Sequence, residues 1–525
     1  MRSLSRSSRF LPALVSAVAG LLLAGAATVP SYAGPDEPAT AVDPGTPEEV
    51  AEETLDAAED LVDGDSTADP TLVLNQLSQT LEDLPAGDQR RAERILARPT
   101  DDDDEDDEIL EYRDSQGVRV PEEDPYCLGT VCVHYVATTR HAPPSADTAP
   151  ADDVPDWVDL TARVMGTVWN REVNELGYDQ PVPDNGPAAG EGPNPLLDVY
   201  LGDIGKDGYY GYAAPDQSGE STSSAYLVLD DDYSPGQFGT TTTPGGLLRV
   251  TAAHEFFHAV QFGYDLAEDF WFMEATATWM EERVYDSVND NRQYLPVSAM
   301  ALPGRSLDSP VGGTWYGNWI FFEYLSQRLG VDVVRSMWSR AANPDIYSTV
   351  AMTRDLRARG TSLRARFSDF AAGNLAPART YSEGSAYRRP AVAKTYTLTS
   401  ATKSTGGRTI RLDHLTSRSY AFRAGSSLTG AWRVRLGVNG PSGISGAVAT
   451  VSRKDGRLTR HAISLSSAGN GAITLPLSRS AVNRVTLSLA NTSVSYRCYV
   501  EGIYSCSGTP RDQNEPFVFS ASAIR

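Results

Sequence analysis

The stretch "TAAHEFFHAVQFGYDLAEDFWFMEATATWMEE", residues 251–282, holds two of the six histidines in the chain. His254 and His258 are four positions apart, so a helix turns both imidazoles to one face. Two imidazoles on one face can grip a single ion, each with a Zn–N distance of about 2.0–2.1 Å. Glu255 follows the first histidine and falls about 100° further round the helix, beside such an ion rather than on it. From there it can take a proton from a water that the ion acidifies. That is the chemistry the H-E-x-x-H spacing encodes.

Two imidazoles leave the ion short of a third protein ligand. One solution extends the motif to H-E-x-x-H-x-x-G-x-x-H/D. Here Gln261 stands at the glycine position and Tyr264 at the last, with Gly263 and Asp265 nearby but out of register. The other solution takes a glutamate from a second helix packed against the first. "AEDFWFMEATATWMEERVY" suits it, because Asp269 can cap the helix and Glu274 falls in its second turn. Ala275, Thr276, Ala277 and Thr278 are small enough to let two helices approach. Glu274 is the expected ligand and Asp265 the alternative; Glu281 and Glu282, about two turns on, are expected behind the ligands or facing solvent.

"HEFFHAVQ", "WFMEATATWMEE" and the later "YGNWIFFEYLSQRLG" together resemble the gluzincin group of zinc metallopeptidases, in particular secreted bacterial members. The likeness spans residues 126–345. It implies a zincin-like α+β catalytic domain, a mixed sheet followed by helices. It also implies Zn²⁺ held by His254, His258 and Glu274, a polypeptide substrate, and Glu255 as general base and then acid. Such peptidases stabilise the oxyanion with a downstream Tyr or His. No histidine lies between His258 and His414, so the resemblance points to Tyr316. In zincin folds the strand before the metal helix, here "SSAYLVLDDDY", is a sheet edge that pairs with an extended substrate, and a buried strand is the other reading of the same run. Two departures stand out. Only fifteen residues separate His258 from Glu274, and Thr278 stands where the thermolysin-like pattern carries an acid.

The elements that must position this chemistry are legible in outline. Arg2, Arg6 and Arg9, the apolar run "FLPALVSAVAGLLLAGAATV" and the small residues Ser31 and Ala33 predict a secretory signal over 1–33, and so an extracellular bacterial protein with no membrane association after cleavage. Residues 34–124 carry thirty Asp/Glu against six Lys/Arg, close to the whole net charge of −24. Helical spacing in "TPEEVAEETLDAAEDLVDG" and "TLVLNQLSQTLEDL", followed by "DDDDEDDE", predicts an acidic, partly disordered propeptide over 34–120 and hence a zymogen. Alternating runs and helices over 121–385 predict the catalytic domain. Short alternating segments over 391–525 predict an all-β sandwich or jelly roll.

Cys127, Cys132, Cys498 and Cys506 are even in number in an exported chain. Their short spacings favour the local pairs 127–132 and 498–506. Asp230, Asp231 and Asp232 are a candidate Ca²⁺ cluster or a solvated turn. From residue 381 on, nineteen Lys/Arg face six Asp/Glu, so the sandwich is expected to bind an anionic surface polymer. No motif points to nucleic acid, and a monomer is expected. Two other functions fit the same residues: a binding or adhesion protein with a structural or inactive zinc site, and a zinc hydrolase of a non-peptide substrate.

Overall fold

A computed structural model describes residues 45–100, 109–184, 194–216, 218–219, 221–500 and 502–525; the signal and the acidic run at 101–108 lie outside them. The chain divides into two compact units. The first comprises Met1–Ala267, Met280–Asp290 and Tyr499–Ile503, and the second Glu268–Trp279, Asn291–Cys498 and Tyr504–Arg525. Both units mix helices with sheets, and the C-terminal part is β-rich. Among the described residues no helix is long and apolar enough to cross a membrane.

The first unit opens with α1 (Pro47–Val62), α2 (Pro70–Thr80) and α3 (Ala86–Leu96). A capping box between Thr46 and Glu49 starts α1, and the Asp69 side chain caps α2 ahead of Pro70. The strands are β1 (Tyr126–Leu128), β2 (Val131–His134), β3 (Leu197–Gly202), β4 (Gly211–Pro215) and β5 (Ala225–Asp230), in the order β1-β2-β3-β5-β4. β2, β3 and β5 are parallel, while β1 and β4 run antiparallel on the two edges. β5 is therefore internal, so of the two readings of this run the buried strand holds and the edge does not. Its unbroken apolar run, Tyr226–Leu229 in sequence, is what a strand flanked on both sides and covered on both faces requires. Among the described residues, β4 is the edge strand next to β5.

α4 (Asp156–Trp169) and α6 (Pro244–Tyr264) cover one face of this sheet, with the one-turn α5 (Pro235–Phe238) just before α6. The first three helices cover the other. Leu55, Val73, Leu77 and Ile95 share one core with Tyr200, Tyr212, Tyr226 and Val228. α4 continues without a break, but its last turns, Asn170–Glu175, widen into a π-helix. The Cys127–Cys132 disulfide closes the β1–β2 hairpin across directly paired positions.

The second unit carries α7 (Phe270–Tyr285) up to Trp279, then α8 (Thr314–Gly317), α9 (Trp319–Leu329), α10 (Asp332–Ala341), α11 (Ser348–Ala358) and α12 (Leu363–Gly373). Its strands follow as β6 (Lys394–Leu398), β7 (Arg408–Leu412), β8 (Thr416–Ala424), β9 (Arg433–Asn439), β10 (Ser445–Arg453), β11 (Leu458–Ala462), β12 (Asn470–Pro476) and β13 (Val482–Asn491). The two-residue β14 (Tyr496–Arg497) and β15 (Thr509–Pro510) and the long β16 (Glu515–Ile524) complete the set. One sheet runs β11-β10-β13-β8-β6 and another β12-β9-β16-β7. Phe422, Leu487 and Leu489 from the first meet Leu436, Phe517 and Phe519 from the second in a single core. Helices and sheets in this unit are joined by Asp308. Its buried carboxylate accepts from Ser306 Oγ at 2.7 Å, His414 Nε2 at 2.8 Å, Tyr496 OH at 2.7 Å and Ser505 Oγ at 2.9 Å. The Cys498–Cys506 disulfide pins the loop that brings Ser505 there.

A buried ionic chain crosses the sheet of the first unit. Arg98, just after α3, pairs with Asp198 on β3, with Asp216 at 2.8 Å and with Asp184 at 3.2 Å. His134 on β2 continues it, with Nε2 3.0 Å from Asp198 and Nδ1 2.9 Å from Glu122. Burial opposes charge on His134, but the hydrogen bonds to Asp198 and Glu122 outweigh it and hold its pKa up to about 9. Because the folded value is raised, this stabilisation is whole below the ordinary value of 6.5 and is lost as pH rises through about 9. In urea unfolding, His134→Gln should cost about 2–3 kcal/mol near pH 6 and progressively less through pH 9. A cost that stays constant over that range would remove the charge of His134 from the account.

Candidate metal centre

α6 is set by Thr243, whose side chain accepts the Gly246 N–H at 3.2 Å, and by Pro244 in the first turn. Almost every residue of the helix is buried, so its polar side chains must find partners inside the protein. The two histidines do. His254 Nδ1 lies 2.9 Å from Oε1 of Glu281, and His258 Nδ1 lies 2.8 Å from Oε1 of Gln261. Both partners fix the same tautomer, in which Nδ1–H donates and coordination falls to Nε2. The two rings are 4.9 Å apart, centroid to centroid.

His254, His258 and Glu274 each offer a ligand atom, and these atoms lie within 4.8 Å of one another. Glu274 stands in the second turn of α7 and is buried. Asp265 is not in the group. It sits at the C-cap of α6, where Oδ1 accepts the Ala267 N–H at 3.0 Å. Burial pushes the pKa of His258 well below its ordinary value, with help from neighbouring His254 and against the bond to Gln261, so the ring is a neutral imidazole. Burial likewise raises Glu281 to about 7, while its bond to His254 pulls the other way.

Glu255 is buried on the same helix, and its Oε2 accepts a hydrogen bond from the Thr71 hydroxyl at 3.3 Å. Nothing in the sequence pattern announced that contact across 184 positions. Glu172 was also missed. In the π-turn after α4 both its carboxylate oxygens are buried with no hydrogen-bond partner among the described residues. Burial pushes its pKa well up, with only the charge of His254 opposing. Glu281 and Gln261 were legible as polar residues near the motif, but not as the partners of particular rings.

Tyr316 lies in α8 of the second unit and stacks on Tyr294 with centroids 5.2 Å apart. Of the three aspartates after β5, only two join an acidic group, Asp203 with Asp230 and Asp231. Asp232 is replaced there by Asp203. The Asp230 carboxylate accepts backbone N–H groups from Gly205 at 2.7 Å, Tyr233 at 2.6 Å and Asp232 at 3.2 Å. Those bonds give it a turn-forming role whatever else the group binds.

Residues 241–423 match the model of a family described as "Family of unknown function (DUF6055)". That segment includes α6 and α7, and with them His254, Glu255, His258 and Glu274. No curated protein matches the chain. Among solved structures, PliG of Aeromonas hydrophila, a periplasmic inhibitor of g-type lysozyme, is 13% identical with a TM-score of 0.15, covering 25% of this chain and 98% of that one. CorA, a surface-associated copper-binding protein of Methylomicrobium album BG8, is 11% identical with a TM-score of 0.16, over 26% of this chain and 99% of that one. The CBM22-1–GH10 modules of endo-1,4-beta-D-xylanase 10B from Clostridium thermocellum are 13% identical with a TM-score of 0.12, over 23% of this chain and 24% of that one. At such scores none of the three likenesses carries an argument about this chain, which is similar to a family of unknown function over residues 241–423.

Proposed function

We propose that the protein is a secreted zinc-dependent endopeptidase of zincin-like architecture, with His254, His258 and Glu274 as ligands and Glu255 as general base. The observation that carries this reading is the meeting of three ligand atoms from those residues within 4.8 Å. The donor set suits zinc: two imidazoles and one carboxylate, with a fourth position for water and a net site charge near +1. Zinc bound there would supply Lewis acidity to that water and to the scissile carbonyl.

The chain's own residues do the rest. Glu281 and Gln261 hold the two rings in the tautomer that presents Nε2. Burial keeps His258 neutral and so ready to ligate. Glu255 removes the proton from the attacking water and returns it to the leaving amine. Tyr316 is the hydroxyl we assign to the developing oxyanion. The edge strand β4 offers backbone groups to an extended chain. A purely structural zinc would need no general base, so the presence of Glu255 disfavours a binding protein. The basic C-terminal sheets are the part suited to an anionic surface polymer.

After the chain is cut in the 101–108 run, casein hydrolysis should fall about 10²- to 10⁴-fold in Glu255→Gln. Zinc content by mass spectrometry should stay near one per chain. Zinc retained by both forms with no cleavage by either would reject the peptidase reading. Glu281→Gln tests the support of His254. Its zinc affinity, measured by chelator competition, should fall by about 10- to 100-fold. Unchanged affinity would leave Glu281 as a packing residue only.

A further inference from the structure

We propose that α2 is a built-in inhibitor, with Thr71 as its contact point on the catalytic apparatus. This rests on the reading of Glu255 as the general base. The Thr71 hydroxyl donates to Glu255 Oε2 at 3.3 Å and accepts the Ala213 N–H at 3.0 Å. Ala213 is on β4, the edge strand next to β5. One hydroxyl thus occupies both the base and an outward-facing donor of the sheet edge, the two features an extended substrate would need to reach.

The local geometry frees that hydroxyl for the task. Threonines deeper in the first helices bond back to their own turn, Thr54 to the Val50 carbonyl at 2.7 Å and Thr80 to the Gln76 carbonyl at 3.0 Å. Thr71 is the second residue of α2 and has no helical carbonyl behind it. Asp69 already caps the helix by accepting the Leu72 N–H at 3.2 Å, so capping makes no demand on Thr71. One turn on, Asn75 is fully buried, and neither atom of its carboxamide has a hydrogen-bond partner among the described residues. The face of α2 that carries Thr71 is therefore polar where it is most deeply covered, unlike the Val73 and Leu77 face that joins the core.

The test uses the full chain, loaded with zinc, as wild type, Thr71→Ser, Thr71→Glu, and wild type cut in the 101–108 run. Thr71→Glu sets a second carboxylate against Glu255, whereas Thr71→Ser keeps the hydroxyl. Hydrogen exchange at the Ala213 amide reports the cover directly, and casein turnover reports its consequence. Relative to uncut wild type and Thr71→Ser, we expect exchange at Ala213 to rise about 100-fold in Thr71→Glu and in the cut chain. Turnover should rise at least about tenfold in the same two. Should Thr71→Glu fail to fold, the cut wild-type chain carries the same comparison. Uncut wild type that exchanges and turns over like the cut chain would overturn the proposal. Raised exchange with no turnover in any form keeps the cover and rejects the peptidase reading; full turnover in uncut wild type rejects the cover and keeps the peptidase.

Discussion

Most of this structure answers one cost, the removal of ionisable side chains from water. His254, Glu255, His258, Glu274 and Glu281 are all buried, and they sit within 28 residues of sequence on consecutive helices. Desolvating a carboxylate or an imidazolium is expensive unless hydrogen bonds or a counter-charge replace the lost hydration. The shifts show the strain of that arrangement. His258 is driven to its neutral form and Glu281 is raised to about 7, in both cases chiefly by burial. A cation among these groups reverses the balance, because neutral imidazoles and carboxylates are the forms it binds.

The scaffold is arranged to hold that arrangement still. α6 is buried nearly all round, so its register against the sheet cannot drift without exposing apolar residues. Each histidine then has its own partner, Glu281 from the following helix and Gln261 from its own. Gln261 stands where related motifs place a glycine that ends the helix. Here the helix continues to Tyr264, and the side chain at that position fixes the second ring instead. A longer helix and a ring-orienting glutamine are thus one solution, and the proposed third ligand, Glu274, lies on the next helix.

What the sequence disclosed follows the reach of local pattern. That His254 and His258 share a face of one helix was legible because helical periodicity decides which side chains lie together. Both disulfides followed from short loop lengths, and the β-rich C-terminal region from alternation. Whether β5 is an edge or an internal strand stayed open in the sequence, since strand order depends on pairings that no local window contains. The contact between Thr71 and Glu255 was invisible for the same reason, and so was the role of His414. That residue looks isolated in sequence, yet it binds Asp308 across 106 positions. Glu172 was concealed differently, by a π-turn that rotates the residues after Trp169 out of α-helical phase.

The first three helices hold a double position that the acidic composition alone did not suggest. They cover a whole face of the sheet, and Arg98 at their end neutralises Asp184, Asp198 and Asp216 inside the protein. The sheet face that these helices share a core with is not purely aliphatic. Tyr200, Tyr209, Tyr212 and Tyr226 dominate it. Several of their hydroxyls bond to residues of the helical segment and its flank, Tyr226 to the Ala97 carbonyl at 2.9 Å, Tyr209 to the Ser66 carbonyl at 2.9 Å and Tyr200 to Thr100 at 3.1 Å. A tyrosine surface packs as an apolar face when covered and can pass its hydroxyl bonds to water when exposed. Arg98 imposes the opposite bias, because its loss would remove the cation shared by Asp184 and Asp216 and leave Asp198 to His134 alone. On the proposed reading of α2 as an inhibitor, this ionic lock keeps the segment seated while the chain is uncut.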